Sequence, residues 1–198
     1  IPRHALSLPF QCRFLYWLVD FTKARQIVEL GTSLGISSAY LAIGSPTSRV
    51  DTVEGDPEVA NVAQKIFDQL RLDNIHLHNM TFDSFIAKGL TADRRIDLLF
   101  LDGHHTSAAL WKYYHALKPY MSDQTIIMVD DIYWSADMTD GWKKITALPE
   151  VTQSVDCFHF GLLFFKKDFL NRENHCIRLP LMGLLRGGWN RLILQSPV

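Results

Sequence analysis

Apolar residues fall into short, nearly continuous runs, and the stretches between those runs repeat their apolar positions at helical spacing. The runs are QIVELG (26–31), RVDTVEGD (49–56), NIHLHNMT (74–81), IDLLFLDG (96–103) and QTIIMVDDI (124–132). Runs of that length and composition read as strands buried on both faces. Amphipathic helical patterns occupy 57–72 and 105–120, and a further one, FQCRFLYWLVDFTK, precedes the first strand. Pro57 stands where a first helical turn accepts proline, because its missing N–H has no intrahelical partner there anyway. Strands alternating with helices predict an α/β fold, a mainly parallel sheet covered on both faces.

After GWKKITALPE the pattern changes. VTQSVDCF (151–158) and HFGLLFFKK (159–167) follow one another with no room for a helical crossover, so they predict an antiparallel hairpin and bring the strand count to seven. From about residue 170 the chain turns to LPLMGLLRGGWNRLIL, which has leucines, Arg186, Arg191 and Gly187-Gly188 but no clean helical period. The expectation is that this tail packs on the domain or on a second subunit, making a homodimer; a membrane-surface segment is the alternative.

Composition narrows the function. The chain has 198 residues, 47% of them hydrophobic and 21% charged, which suits one domain spanning 1–198 with a core at about 27–167. A formal charge of −1 lacks the basic excess needed to grip nucleic acid through its phosphates, and favours a small-molecule partner. The cysteines, Cys12, Cys157 and Cys176, are odd in number and scattered, so neither a disulfide framework nor a zinc site is indicated and a cytoplasmic setting is expected. No apolar run has the length of a membrane-spanning helix, so stable membrane insertion is not expected.

Candidate chemistry begins in ELGTSLG. A strand ending at Glu29-Leu30 and turning through Gly31 to Gly35 into a helix sets backbone amides at the carboxyl edge of the sheet, where open α/β folds bind ligands. The glycine spacing is G-x-x-x-G and not the G-x-G-x-x-G of dinucleotide sites, and such glycines also serve positive φ or close packing alone. Glu54 follows Gly31 by 23 positions, near the spacing at which an acid reaches a ribose diol. It also reads as a helix-start acid, although Asp56 suffices for that.

ELGTSLGISSAYLA, TVEGD, IDLLFLDGHH and IIMVDDI, in that order, resemble the class I methyltransferases that use S-adenosylmethionine, and within them the catechol and caffeoyl-CoA O-methyltransferase branch. The resemblance implies a Rossmann-like methyltransferase sandwich with an antiparallel end to its sheet. It implies that Glu29 and the Gly31–Gly35 turn hold the amino-acid end of the cofactor, with Thr32 and Ser33 offering hydroxyls. Glu54 takes the ribose hydroxyls, and Thr81 and Phe82 fall beside adenine.

Asp102 ends one strand and Asp130-Asp131 ends another, so three carboxylates are expected at one edge. Like charges held close need a neutralising cation or a proton, and an all-oxygen set suits Mg²⁺ or another divalent cation. The resemblance implies a metal at Asp102, Asp130 and Asp131 that binds and acidifies the acceptor hydroxyl. Asp102 also reads as a helix cap, and the trio as a metal-free acidic pocket. His104 and His105 follow in DGHH. His105 stands where the catechol branch carries a lysine base, a departure that makes His105, or His104 in its place, a candidate catalytic base. Tyr133, Trp134, Met138 and Trp142 are expected to wall the pocket. The expected activity is O-methylation of a small hydroxylated acceptor. An NAD(P)-dependent oxidoreductase and a non-catalytic binding protein are the competing readings.

Overall fold

The computed structural model describes residues 9–91, 94–168 and 171–177. The segment LPLMGLLRGGWNRLIL lies outside the described residues.

Helix α1 (Pro9–Thr22) precedes strand β1 (Gln26–Leu30), and alternation then runs through α2 (Ile36–Gly44), β2 (Arg49–Glu54), α3 (Pro57–Leu70), β3 (Ile75–Asn79), α4 (Phe82–Lys88), β4 (Ile96–Leu101), α5 (Ser107–Leu117) and β5 (Met121–Asp130). Helix α6 (Ala136–Thr146) leads to β6 (Gln153–Asp156), β7 (Phe160–Phe164) and β8 (Glu173–Cys176). The sheet order is β3-β2-β1-β4-β5-β7-β6-β8. The first five strands are parallel, β7 inserts antiparallel between β5 and β6, and β8 runs parallel to β6. The hairpin is therefore as the spacing predicts, and the strand count is eight, not seven. The extra strand, ENHC, is exposed throughout and carries no apolar signal; only its backbone pairing to β6 defines it.

Two apolar layers sandwich the sheet. Leu15, Leu18 and Val19 of α1 and Leu41 of α2 pack on one face with Val50, Phe100 and Met128. Leu110, Tyr114 and Leu117 of α5 and Met138 and Trp142 of α6 pack on the other with Val28, Leu99 and Val129. Helix starts are fixed locally. Asp56 accepts from the Glu58 and Val59 amides with Pro57 beside it, Thr106 caps α5, and Ser135 caps α6. Chain order reverses between β1, which neighbours β2, and β4, so the switch-point crevice opens at the carboxyl ends of β1 and β4.

Candidate active site

At that crevice the turn 31–35 is held from below. The Gly31 and Thr32 amides both donate to the Val53 carbonyl at 3.1 Å, the Ser33 amide donates to Glu54 Oε2 at 2.9 Å, and the Gly35 amide donates to the Thr32 carbonyl at 2.8 Å. These amides are engaged, not bare. The glycines answer to sterics: both have positive φ, and a β-carbon on Gly35 would meet the Phe67 ring at 2.5 Å.

The Thr32 hydroxyl turns inward. It meets Thr52 Oγ1 at 2.6 Å, and Thr52 in turn donates to Glu29 Oε2 at 2.6 Å, where Ser38 also donates. Glu29 is fully buried, and its Oε1 has no hydrogen-bond partner. Burial pushes its carboxyl above the ordinary range, against the hydrogen bonds from Ser37, Ser38 and Thr52. Glu54 stays at the mouth of the crevice, its Oε1 accepting from the Asp56 amide at 2.9 Å. A carboxylate has about four lone-pair sites, so two hydroxyl donors can still be accommodated there.

On the far side of the crevice stand the acids. The Asp102 and Asp130 carboxyls hydrogen-bond to each other, which takes one proton shared by the pair. Burial raises both carboxyls first; at Asp102 the charges of Asp130, Glu29 and Asp131 add to it, whereas at Asp130 the charge of Asp131 adds to it and hydrogen bonds from the Asp131 amide, Asp102 and Gln11 oppose it. Gln11 of α1, only 3% exposed, donates from Nε2 to Asp130 Oδ1 at 2.5 Å. Asp131 has φ 53° and donates its amide to the His159 carbonyl at 2.8 Å. His105 Nε2 faces Asp131 Oδ2 at 3.8 Å and Asp102 Oδ1 at 3.9 Å, too far for direct hydrogen bonds. Burial pushes the His105 imidazole below its ordinary range, with Asp131 acting the other way.

His104 points elsewhere. Its Nδ1 lies 3.1 Å from the Tyr113 hydroxyl, and its ring packs against Phe82 at 5.2 Å between centroids. Phe82 thus reaches the crevice edge, whereas the Thr81 hydroxyl caps α4 by accepting from the Ser84 amide at 3.2 Å.

The expected aromatic wall divides. Tyr133 and Trp134 are exposed at the rim, with Trp134 5.8 Å from the His105 ring, but Met138 and Trp142 are buried core. Trp142 packs where a β-carbon on Gly161 would lie, at 2.3 Å. Gln11 lies outside the sequence motifs, and Ser38 and Thr52 lie inside them at positions not expected in the site. Their signal is a polar residue inside an apolar stripe: Gln11 is in register with Leu15 and Leu18, and Thr52 interrupts the run through Val50 and Val53.

Donor chemistry at Asp102, Asp130 and Asp131 suits a hard cation, but two of the three are bonded to one another and not splayed round a common point. Among the described residues no three His, Cys, Asp or Glu side chains are grouped to hold a metal ion. The Cys12 and Cys157 thiols are buried and pushed up to about 11, which removes them as thiolate nucleophiles. An apolar groove of about 520 Å³ on the outer helices is lined by Tyr16, Tyr40, Ile43 and Leu70, and it contains none of the crevice residues named above. The grouping of titratable side chains makes the crevice the candidate site. Among the described residues no helix is long and apolar enough to cross a membrane.

The family profile described as "Methyltransferase domain" matches residues 28–132, more than half of the chain. The chain belongs to this methyltransferase family. Among curated relatives, a catechol O-methyltransferase of Niastella koreensis is 42% identical over 65 residues, covering 32% of this chain and 29% of that protein. An uncharacterised protein, y4gI, of Sinorhizobium fredii is 25% identical over 178 residues, 78% of this chain and 19% of that protein. The chain thus spans less than a third of the length of either relative. Among solved structures, the O-methyltransferase from Bacillus cereus in complex with S-adenosylhomocysteine superposes with TM-score 0.69 at 23% identity, over 82% of this chain and 84% of that one. TomG from Streptomyces achromogenes, an O-methyltransferase solved with S-adenosylmethionine, gives 0.70 at 19% identity over 83% of both chains. At these identities the superpositions establish the shared Rossmann-like fold.

Proposed function

We propose that this protein transfers a methyl group from S-adenosylmethionine to an oxygen of a small hydroxylated acceptor. The observation that carries this reading is the crevice itself, with Glu54 and the 31–35 turn on one side and His105 facing Asp102 and Asp131 on the other. The residues fit the cofactor: Glu54 has lone pairs for a ribose diol, the turn sits at the switch point, and the buried Glu29 Oε1 puts an unpaired acceptor beneath the amino-acid end. Phe82 edges the adenine side, with Thr81 fixing its helix. Ser33 and the glycines shape the turn.

S-adenosylmethionine, when bound, supplies a methyl on a sulfonium. The chain's own residues then orient the acceptor and receive its proton. The His105 side chain is 26% exposed, and burial, which pushes its imidazole below the ordinary range, favours the neutral form that accepts a proton. A hydroxyl oxygen lying to the side of these groups, about 2.8 Å from each, would bridge Nε2 and a carboxylate that are too far apart to bond directly. Tyr133 and Trp134 form the rim over which an acceptor enters. A divalent cation such as Mg²⁺ would be held by Asp102, Asp130 and Asp131 only with the Asp102–Asp130 hydrogen bond opened and its proton released, and would then acidify the hydroxyl.

Calorimetric titration of the protein with S-adenosylhomocysteine and with NAD tests the reading. Binding of the first without the second is expected. Binding of NAD alone would overturn it, and binding of neither would favour a protein that has kept the fold without the chemistry.

A further inference from the structure

We infer that Thr52, in the middle of β2, is a positioning residue for the amino-acid end of the cofactor site, acting through Thr32. The inference rests on the cofactor reading above and adds a residue that does not touch the ligand.

Hydroxyl accounting fixes the direction of the chain. Thr52 has one hydroxyl proton and donates it to Glu29 Oε2 at 2.6 Å. Ser38 donates to the same oxygen. Thr52 Oγ1 is therefore the acceptor in its 2.6 Å contact with Thr32, and the Thr32 proton points down into the sheet. Every member is shut away from water: Glu29 and Thr52 are 0% exposed and Thr32 is 1% exposed. The next residue of the strand, Val53, takes the Gly31 and Thr32 amides on its carbonyl. Residues 52 and 53 thus tie down both the backbone and the side chain of the turn, and Glu29 terminates the relay.

Burial makes the relay consequential. An isosteric Thr52→Val leaves the Thr32 hydroxyl without its acceptor and Glu29 Oε2 with one donor fewer, in a place where no water can substitute. The turn then has reason to re-rotate residue 32. That change falls on the methionine end of the ligand and leaves the Glu54 side, where the ribose would sit, in place.

The test compares two ligands and two variants. Thr52→Val should raise the S-adenosylhomocysteine Kd about tenfold, the scale of one buried hydrogen bond. It should shift the Kd of 5′-methylthioadenosine, which lacks the amino-acid portion, by less than about threefold. Thr52→Ser, which keeps the hydroxyl, should bind both ligands like the wild type. Equal losses for the two ligands, no loss at all, or failure of Thr52→Ser to restore binding would each overturn the inference. If Thr52→Val does not fold, Thr32→Val breaks the same bond from the turn side and is held to the same outcomes. A wild-type protein that does not bind S-adenosylhomocysteine would overturn the cofactor reading and this inference with it, whereas wild-type binding with an unmoved variant overturns this inference alone.

Discussion

The carbonyl oxygen of Asp102 lies 2.1 Å from the point where a β-carbon on Gly31 would be. Gly31 also has φ +116°, and the Asp102 amide donates back to the Leu30 carbonyl at 3.0 Å. The 31–35 turn and the acidic edge are therefore pressed together through backbone, and glycine is what permits it. Gly31→Ala combines a steric overlap with a forbidden backbone region, each worth about 1–3 kcal/mol. The expected result is a loss of about 3 kcal/mol or more in urea unfolding, or no soluble protein. A variant as stable as the wild type would show that the two segments are free to separate.

Glu54 joins the turn to the start of α3 through the Ser33 and Asp56 amides. If it also takes a ribose diol, Glu54→Ala should weaken S-adenosylhomocysteine binding by about 1.5–3 kcal/mol, the scale of lost charge-assisted hydrogen bonds. The protein should stay folded. Calorimetry reads the change, and an unmoved Kd would remove Glu54 from the site.

His105 and His104 are neighbours in sequence but face different partners. His105→Gln is expected to leave cofactor affinity unchanged and to cut turnover about 10²–10⁴-fold, because a general base acts in the transition state. His104→Gln, which disturbs only the contacts with Tyr113 and Phe82, should do much less. Adenosylhomocysteine release in a screen of hydroxylated acceptors supplies the assay. Equal turnover in the His105 variant would take it out of the mechanism.

The acidic edge offers a test by metal removal. If Asp102, Asp130 and Asp131 take a divalent cation, Mg²⁺ or Mn²⁺ should raise the melting temperature relative to EDTA, and Asp131→Asn should abolish the difference. Superimposable wild-type melting curves with EDTA and with added cations would leave the acids as a proton-sharing pair with Asp131 beside it.

Asp51 gives a pH dependence well away from the crevice. Burial alone would raise its carboxyl, but hydrogen bonds from His78 at 2.7 Å and Arg49 at 2.8 Å, with their charges, outweigh burial and hold it below the ordinary range. A carboxyl lowered on folding stabilises above its unfolded pKa of about 3.9, and that stability is lost as the pH falls through the lower folded value. The stability gap between the wild type and Asp51→Asn should therefore be full at pH 6 and shrink below about pH 4. Urea melts at several pH values measure it, and a gap that stays constant down to pH 2 would refute the assignment.

Sequence alone determined the architecture. Strands buried on both faces must be apolar along their length, so QIVELG, IDLLFLDG and QTIIMVDDI mark themselves, and the closeness of 151–158 to 159–167 admits only a hairpin. It also brought Glu54, Asp102, Asp130 and His105 to one edge, because each ends or follows a strand of the sheet. Direction within that edge was decided by tertiary packing. Thr32 and Ser33 are adjacent and alike, yet one hydroxyl is buried on Thr52, and His104 and His105 part company because His104 takes φ 54° against Phe82 and Tyr113. Gln11 meets Asp130 across 119 positions of chain, a contact set by how α1 lies over the sheet. Strand β8 is polar and exposed, so no hydrophobic pattern announced it; its backbone ladder to β6 alone makes it a strand. Periodicity records which residues must leave water, whereas the partner each one finds depends on elements that meet only when the chain has folded.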